Sequence, residues 1–332
     1  MAGIAIAVHW VWNVTYPPIY DGFAVAFVAS LLVSAVCAGW VYSNARGPKV
    51  DGETRFSRSV RMFRGIHGVV AGARTIIAWM TVTAIATTTA VFVFWSDDWT
   101  RGWARLATGL CAFVLLGLAA GSGALLVQAY LNPRLRRVTG VIWDVATFWP
   151  RWYHPWAPPS YSERAVPEMA ERLLALDGQG GVLICAHSQG TVISAAAMLQ
   201  LMDEQGKPRL KASGLLTFGS PLVSLYQRFF PAFFGDATLK AVQTATSGRW
   251  RNLWRDTDPI SAEVPGLGEQ QVPEPDAWDD PEEGQPLGAT RGHRQDARSH
   301  GGYRRSPEFA KARTELLAEI ATAIAAGSGQ RP

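Results

Sequence analysis

The stretch that decides the fold of the second half of this chain is Val182-Leu183-Ile184-Cys185-Ala186-His187-Ser188-Gln189-Gly190. It opens with an apolar run, which is typical of a strand buried on both faces. The Ala-rich pattern that follows, from Thr191 to Leu201, indicates a helix. A serine between a strand and a helix, with small residues two positions away on either side, is typical of the sharp turn called a nucleophile elbow. We therefore predict that this turn holds the Ser188 hydroxyl above the end of the strand.

The residues around Ser188 have separate predicted roles. Ala186 stands where the elbow usually has its first glycine, and Gly190 keeps the second small position. The backbone N–H of Gln189 is expected to point to where an oxyanion forms during attack on a carbonyl group. We expect His187 to pack against the site and orient it, not to act as a base. The alternative is a serine in a tight turn without any chemistry.

Three further segments follow the elbow in chain order. They are Leu215-Leu216-Thr217-Phe218-Gly219-Ser220-Pro221, then Arg251-Asn252-Leu253-Trp254-Arg255 continuing into Asp256-Thr257-Asp258-Pro259-Ile260, then Ser299-His300-Gly301-Gly302-Tyr303. Together with the elbow, they resemble the lipase-like esterases of the α/β-hydrolase family over roughly residues 140–310. The resemblance implies a three-layer α/β domain at 132–326. It also implies that the second segment delivers the acid of a catalytic triad and the third delivers its histidine.

The predicted roles rest on elementary chemistry. A serine hydroxyl is a weak nucleophile until an imidazole takes its proton, so Ser188 needs His300 as a base. The imidazole needs a carboxylate that holds its tautomer; we predict Asp258, with Asp256 as the alternative acid and His293 as the alternative base. Attack on an acyl carbonyl then forms an acyl-enzyme that water hydrolyses.

The chain lacks several features that other functions need. We find no zinc-ligand spacing, P-loop or dinucleotide fingerprint, so we expect neither a metal nor a cofactor. The net charge of +4 lies entirely in residues 1–131, which gives no reason to expect nucleic-acid binding. Nothing between Leu131 and Ser188 fits the second oxyanion loop of the family. We therefore hypothesise that upstream strands are missing from this reading frame or have been lost.

Residues 1–131 are expected to form an α-helical transmembrane region. Three segments carry no charge and are long enough to cross a bilayer as helices: 23–42, 75–95 and 106–131. Residues 2–16 form a weaker candidate for a fourth span, or an interfacial segment. The 43–74 loop is rich in Arg and Lys, and such loops accumulate on the cytoplasmic side. We therefore predict a multi-pass protein of the cell membrane, with its hydrolase-like domain in the cytoplasm.

Within the basic loop, Phe56, Val60, Phe63 and His67 recur at helical spacing, opposite a row of arginines. This pattern favours an amphipathic helix on an anionic leaflet, or else an ordinary positive-inside loop. Residues 262–296 are rich in Pro, Gly and acidic residues and are expected to form a mobile, solvated insertion, while 327–332 form a tail. The aromatic residues at 224–234 could be a lid or part of the core.

The leading functional prediction is a membrane-tethered serine hydrolase that cleaves a lipid-like acyl ester, with membrane lipids as its surroundings. One alternative is a membrane scaffold or regulator that carries a catalytically inactive hydrolase domain. A third possibility is a transporter, but the three uncharged segments contain no ionisable residue for an ion pathway. The sequence does not indicate an oligomeric state.

Overall fold

The computed structural model of the chain describes residues 19–49, 53–93, 103–132, 148, 160–267, 270–274 and 297–328. The predictions for 2–16, for most of the 262–296 insertion and for the end of the tail lie outside these residues. Contacts divide the chain into two compact units. The first unit comprises Met1–Val41 and Gly72–Ile142, and the second comprises Tyr42–Ala71 and Trp143–Pro332.

The described residues up to 132 are mainly helical. Their helices are α1 (Ile19–Ala45), α2 (Arg55–Ala71), α3 (Ala73–Val93) and α4 (Trp103–Leu131). Within the described ranges, one helical segment near the N-terminus, Val25–Ala45, is long and apolar enough by itself to cross a membrane. Helix α3 passes the same test only together with α2, across a bend of 56°, and the apolar part of α4 is the shorter segment Gly109–Ala124.

The prediction of three strong spans is therefore wrong. An uncharged stretch does not by itself form an unbroken helix of spanning length, which is about 20 residues for a hydrocarbon core of about 30 Å. Within the described residues, the apolar segment of α4, Gly109–Ala124, is shorter than this, and α3 passes only as one half of a bent pair with α2. The 23–42 segment overlaps Val25–Ala45, the segment that passes by itself.

The second unit contains a small parallel sheet. In chain order its elements are α5 (Ser162–Asp177), β1 (Val182–His187), α6 (Gln189–Gln200), β2 (Ser213–Phe218), a π-helical turn (Leu222–Gln227), α7 (Asp236–Ala245), β3 (Trp250–Leu253), a 3-10 turn (Tyr303–Arg305) and α8 (Pro307–Ser328). The strand order is β1-β2-β3, and both pairs are parallel. His187 lies opposite Phe218, and Phe218 lies opposite Leu253, so the three strands end at one edge.

Helices cover both faces of this sheet, as the alternation of side chains along a strand requires. Ile184 and Ala186 of β1 point into a core shared with α5, α6 and α7. Leu216 and Phe218 of β2 point to the other face, where they pack with Leu316 of α8. All six residues of β2, the central strand, are buried, whereas in β1 Leu183 is half-buried and Cys185 is exposed.

The prediction of an α/β-hydrolase-like fold is also wrong for the part of the chain that the structure describes. Three strands with many helices make a smaller sheet than the resemblance implied. A strand-turn-helix motif specifies local geometry around one serine. It does not specify how many strands lie beside β1, because those pairings depend on contacts that are distant in sequence.

Helix α2 belongs to the compact unit that contains the sheet, although the sequence assigned it to the membrane region. Its amphipathic spacing does form a helix. However, the side chains of Phe56 and Val60 line a cavity together with Asp256, Gln271 and Glu274 of the same unit. The prediction that this face lies on an anionic leaflet therefore differs from the arrangement in the structure, where the face is turned toward protein.

Candidate active site

Ser188 adopts a strained backbone conformation between β1 and α6, with φ 53° and ψ −129°. Non-glycine residues rarely adopt a positive φ, and such strain costs about 1–3 kcal/mol. The Ser188 N–H donates to Phe218 O at 3.2 Å, and Ser188 O accepts from Thr191 N at 2.9 Å and from Thr191 Oγ1 at 2.7 Å. The turn is thus held from both the strand side and the helix side, which is typical of strain kept for a function.

The elbow is also tied to the turn that follows β2. The hydroxyls of Thr191 and Ser220 form a hydrogen bond of 2.9 Å, and both residues are buried. Ser220 Oγ also accepts the Leu222 N–H at 3.3 Å. The Gly-Ser-Pro segment therefore supports the turn at Ser188 through the hydrogen bond between Ser220 and Thr191.

The second small position of the elbow, Gly190, is not crowded. A methyl group added there would meet nothing within 4 Å among the described residues. Ala186, the other small position, is buried in the core beneath the elbow. The position that does require glycine is Gly219, which directly follows β2. It lies in the 215–221 segment, for which sequence analysis predicted no steric reason.

Gly219 combines a φ of 57° with close contact to two imidazole rings. A Cβ there would lie 3.0 Å from His187 Nε2 and 3.1 Å from His300 Cε1. We expect Gly219→Ala to destabilise the protein by about 1–2 kcal/mol through backbone strain. We also expect it to displace both rings and so to lower any Ser188-dependent esterase activity. Thermal unfolding and ester turnover measure the two effects.

Gly206 provides a matched control for this substitution. It has a comparable φ of 74°, but a methyl group added there would meet nothing within 4 Å. Gly206→Ala should therefore share the loss of stability without the loss of activity. Equal activity of the two variants would contradict the close approach to the rings as the cause.

Asp258 and His300 form a direct pair. His300 Nδ1 lies 3.0 Å from Asp258 Oδ2 and 3.1 Å from Oδ1. The Asp258 side chain is fully buried, whereas that of His300 is 33% exposed. Asp258 Oδ1 also accepts the Ile260 N–H at 3.1 Å, and Oδ2 accepts the Tyr303 hydroxyl at 2.8 Å. The carboxylate is thus saturated with donors, while the ring reaches the surface.

These donors determine the charge of Asp258. Burial acts to raise the pKa of its carboxyl group, but the hydrogen bond and charge of His300 and the donors at Ile260 and Tyr303 outweigh burial and lower that pKa. The carboxylate is therefore ionised at neutral pH and accepts a hydrogen bond from His300 Nδ1. In a neutral His300 ring this leaves Nε2 as the basic nitrogen, which is the tautomer a general base needs.

Tyr303 is a site residue whose role the sequence did not reveal. It is buried, and its hydroxyl contacts both Asp258 and Ser261, the latter at 3.1 Å. Burial and the negative charge of Asp258 raise the pKa of Tyr303, so it stays a neutral donor. It was visible only as the last residue of a quoted motif, and its partner cannot be identified without the tertiary structure.

His187 lies against His300 on the other side. Its Nε2 is 3.0 Å from His300 O, and because a carbonyl can only accept, Nε2 carries the proton. The two rings are 4.6 Å apart between centroids, and the His187 ring stacks on Phe218. Burial and the neighbouring His300 lower the pKa of His187. A neutral, donating His187 is suited to orient the His300 loop, and this role stays a prediction.

The Gln189 side chain is clamped between two tyrosines. Its Nε2 donates to Tyr161 at 2.5 Å and to Tyr226 at 2.7 Å, and the Tyr226 hydroxyl donates back to Oε1 at 3.1 Å. The Gln189 backbone N–H is the first of helix α6, where no intrahelical acceptor exists. The clamp therefore fixes the residue whose N–H was predicted to hold an oxyanion. Sequence analysis missed both tyrosines.

Asp256, the alternative acid, has a different partner. Its Oδ2 lies 2.6 Å from Arg64 Nε on helix α2. The alternative base His293 lies outside the described residues. Of the candidate acids, the structure brings Asp258 to His300.

A buried ion pair supports the two loops that carry Asp258 and His300. Arg255 is fully buried beneath the Tyr303 ring, and its Nη1 donates to Gly301 O at 3.0 Å. Glu274 lies 3.6 Å from Arg255 Nη1 and accepts the Thr257 hydroxyl at 2.6 Å. Glu274 also accepts the backbone N–H groups of residues 298 and 299. These contacts tie the acid loop to the histidine loop.

One contact of a working triad is not formed. Over the described ranges, no hydrogen bond joins the Ser188 hydroxyl to His300, although both lie at the same edge of the sheet. In structures without substrate such a bond is often long and tightens on binding. A second oxyanion donor from 1–18 or 133–147 would lie outside the described residues.

We find no cluster of His, Cys, Asp or Glu that could hold a metal in the described part of the chain. Comparisons of the chain with protein-family models, with curated proteins and with solved structures found no match.

Proposed function

We propose that this protein is a serine hydrolase that cleaves a carboxylic ester, with Ser188 as nucleophile, His300 as base and Asp258 as acid. The observation that carries the proposal is the Asp258–His300 pair, at 3.0 and 3.1 Å, beside a serine in a strained turn at a strand end. An ionised, buried carboxylate on Nδ1 of a part-exposed histidine is the arrangement that makes Nε2 basic.

In the proposed first step, His300 Nε2 accepts the Ser188 hydroxyl proton while Oγ attacks the ester carbonyl carbon. The bond between that carbon and the alcohol oxygen then breaks, and the same proton goes to the departing alcohol. The Gln189 N–H at the start of α6 stabilises the negative oxygen of the tetrahedral intermediate. In the second step water attacks the acyl-Ser188 ester, with His300 again as base, and releases the acid.

We propose a hydrophobic acyl chain as the substrate. Phe229 follows the π-helical turn whose Tyr226 clamps Gln189, and its side chain is 44% exposed. Tyr226 and Phe234 of the same segment are core residues, so the predicted aromatic cluster is partly core. An exposed aromatic ring on the segment that holds the oxyanion residue supports an apolar substrate.

We further propose that the Val25–Ala45 helix tethers the chain to a membrane, with the sheet-containing unit on the cytoplasmic side. The support is the apolar helix itself and the Lys/Arg excess in the residues that follow it. A tether would bring the site close to lipid esters.

The alternative function is a membrane scaffold or regulator with an inactive hydrolase-like domain. It is favoured by the absence of a Ser188–His300 hydrogen bond in the described ranges.

Labelling with a fluorophosphonate probe distinguishes the two functions, because the probe reacts only with an activated serine. We expect the full-length protein in isolated membranes to be labelled, with the adduct mapped to Ser188 by peptide mass spectrometry. The Ser188→Ala variant should show no labelling.

Ser247 offers a matched control. It is an exposed serine with a φ of 51°, close to that of Ser188, in a turn after α7. Ser247→Ala should be labelled like the wild type. A folded wild-type protein without any Ser188 adduct would overturn the hydrolase proposal and favour the scaffold.

A further inference from the structure

Helix α2 contacts both loops that deliver the Asp258–His300 pair. Toward the acid loop, Arg64 Nε lies 2.6 Å from Asp256 Oδ2, and His67 Nδ1 lies 2.8 Å from the backbone oxygen of Asp258. Toward the histidine loop, the buried Ser59 hydroxyl accepts the Ala297 N–H at 3.0 Å. These partners are about 190 or more residues away in sequence.

Helix α2 makes these polar contacts around a cavity. The cavity, of about 650 Å³, is lined on the helix side by Phe56, Val60 and Arg64 and on the other side by Gln271, Pro273 and Glu274. At the end of the helix, Arg228 donates to the Val70 carbonyl. Hydrogen bonds are directional, so those around the cavity fix where α2 lies. They contribute less through the burial of apolar surface.

His67 contacts Asp258, the proposed catalytic acid, directly. The Asp258 carboxylate is held by His300, Tyr303 and the Ile260 N–H, but its peptide carbonyl has a different partner, His67. Since a carbonyl only accepts, the His67 proton is on Nδ1. Pro259 follows, so the next residue has no N–H that could brace this peptide.

We propose that helix α2 is a clamp for the candidate active site and that His67 is a positioning residue, which acts by holding the Asp258 backbone. This inference rests on the proposed hydrolase function. The clamp keeps the acid loop and the histidine loop at the separation at which Asp258 can orient His300. A shift of about 1 Å in such a pair can cost about 100-fold in rate.

Two amides test the geometry of the donor. The Asn side chain places an amide nitrogen near the position of His Nδ1, whereas the longer Gln side chain places it near Nε2. We expect His67→Ala to lower kcat for p-nitrophenyl butyrate about 10- to 100-fold, with KM changed less than about twofold. His67→Asn should recover activity to within about threefold of the wild type, and His67→Gln should resemble His67→Ala.

Met62 on the same helix is the control. It is an exposed apolar residue, so Met62→Ala changes α2 without touching the loops. It should keep wild-type kcat. Melting temperatures of all variants identify any loss of folding. If His67→Ala does not fold, the kcat values of His67→Asn and His67→Gln test the inference instead.

The outcomes separate this inference from the proposed function. A folded wild-type protein without a Ser188 adduct would overturn the proposed hydrolase function itself. A labelled and active wild type whose folded His67→Ala variant keeps wild-type kcat would overturn the clamp alone. Equal recovery by Asn and Gln would also overturn it, because the Nδ1 donor would then not be the determinant.

Discussion

Replacing Ser188 or His300 by alanine is expected to lower kcat for a p-nitrophenyl ester by about 10⁵- to 10⁶-fold, and replacing both should cost no more than replacing one. The reason is that the nucleophile and its base act in one step. Once the base is gone, the Ser188 hydroxyl keeps its proton and adds nothing further. Steady-state kinetics on the purified full-length protein, with both single variants and the double variant, measure this.

His187 provides the control for that series. Its ring lies 4.6 Å from that of His300, but its Nε2 donates to a carbonyl and is not free to accept a proton. His187→Ala should therefore lower kcat by only about 10- to 100-fold through misplacement of the His300 loop. A loss as complete as that of His300→Ala would make His187 the base. Losses that multiply in the Ser188/His300 double variant would contradict a shared step.

The local parts of the site could be predicted from the sequence because each is specified by a short motif. The strand, the serine and the helix of the elbow are contiguous, and the structure has β1, Ser188 and α6 in that order. Asp258 and His300 are 42 residues apart, yet both sit in turns with recognisable residues, and the structure pairs them. Their catalytic roles remain predictions.

The supporting residues could not be predicted, since their partners are defined only by the folded chain. Arg255 reads as the end of a strand, yet it is fully buried beneath Tyr303. Arg64 and His67 read as part of a basic loop, and their contacts to residues 256 and 258 cross more than half of the chain. An arginine-rich amphipathic segment has the same sequence pattern on a lipid surface as on a protein surface.

The errors in the fold have a related origin. Counting uncharged residues predicted three spans, because a missing charge does not show that a stretch forms one unbroken apolar helix of spanning length. The elbow and the three segments after it predicted an α/β-hydrolase-like domain, because the resemblance was carried over from four short segments to a whole domain. In both cases a local signal was extended to a property that depends on the whole segment or the whole chain.

Asp258→Asn is expected to lower kcat by about 10⁴-fold. The neutral amide can donate to His300 Nδ1, which places the imidazole proton on Nε2 and removes the base that Ser188 needs. Asp256→Asn is the matched control, because Asp256 contacts Arg64 and not His300. It should cost about tenfold or less through the clamp. If the two variants lost activity equally, the assignment of the acid would be wrong.

The same variant should change how stability depends on pH. The pKa of Asp258 is lower in the folded protein than its ordinary value of about 3.9. The unfolded chain therefore binds the proton first, so Asp258 stabilises the fold above about pH 4, and this contribution is lost as the pH falls through the lowered pKa. Asp258→Asn lacks this contribution and should show a flatter fall in melting temperature as the pH drops from about 5 to about 3. Parallel pH profiles of wild type and variant would mean that folding does not lower the pKa of Asp258, and would contradict the stabilisation of its carboxylate by His300, Ile260 and Tyr303.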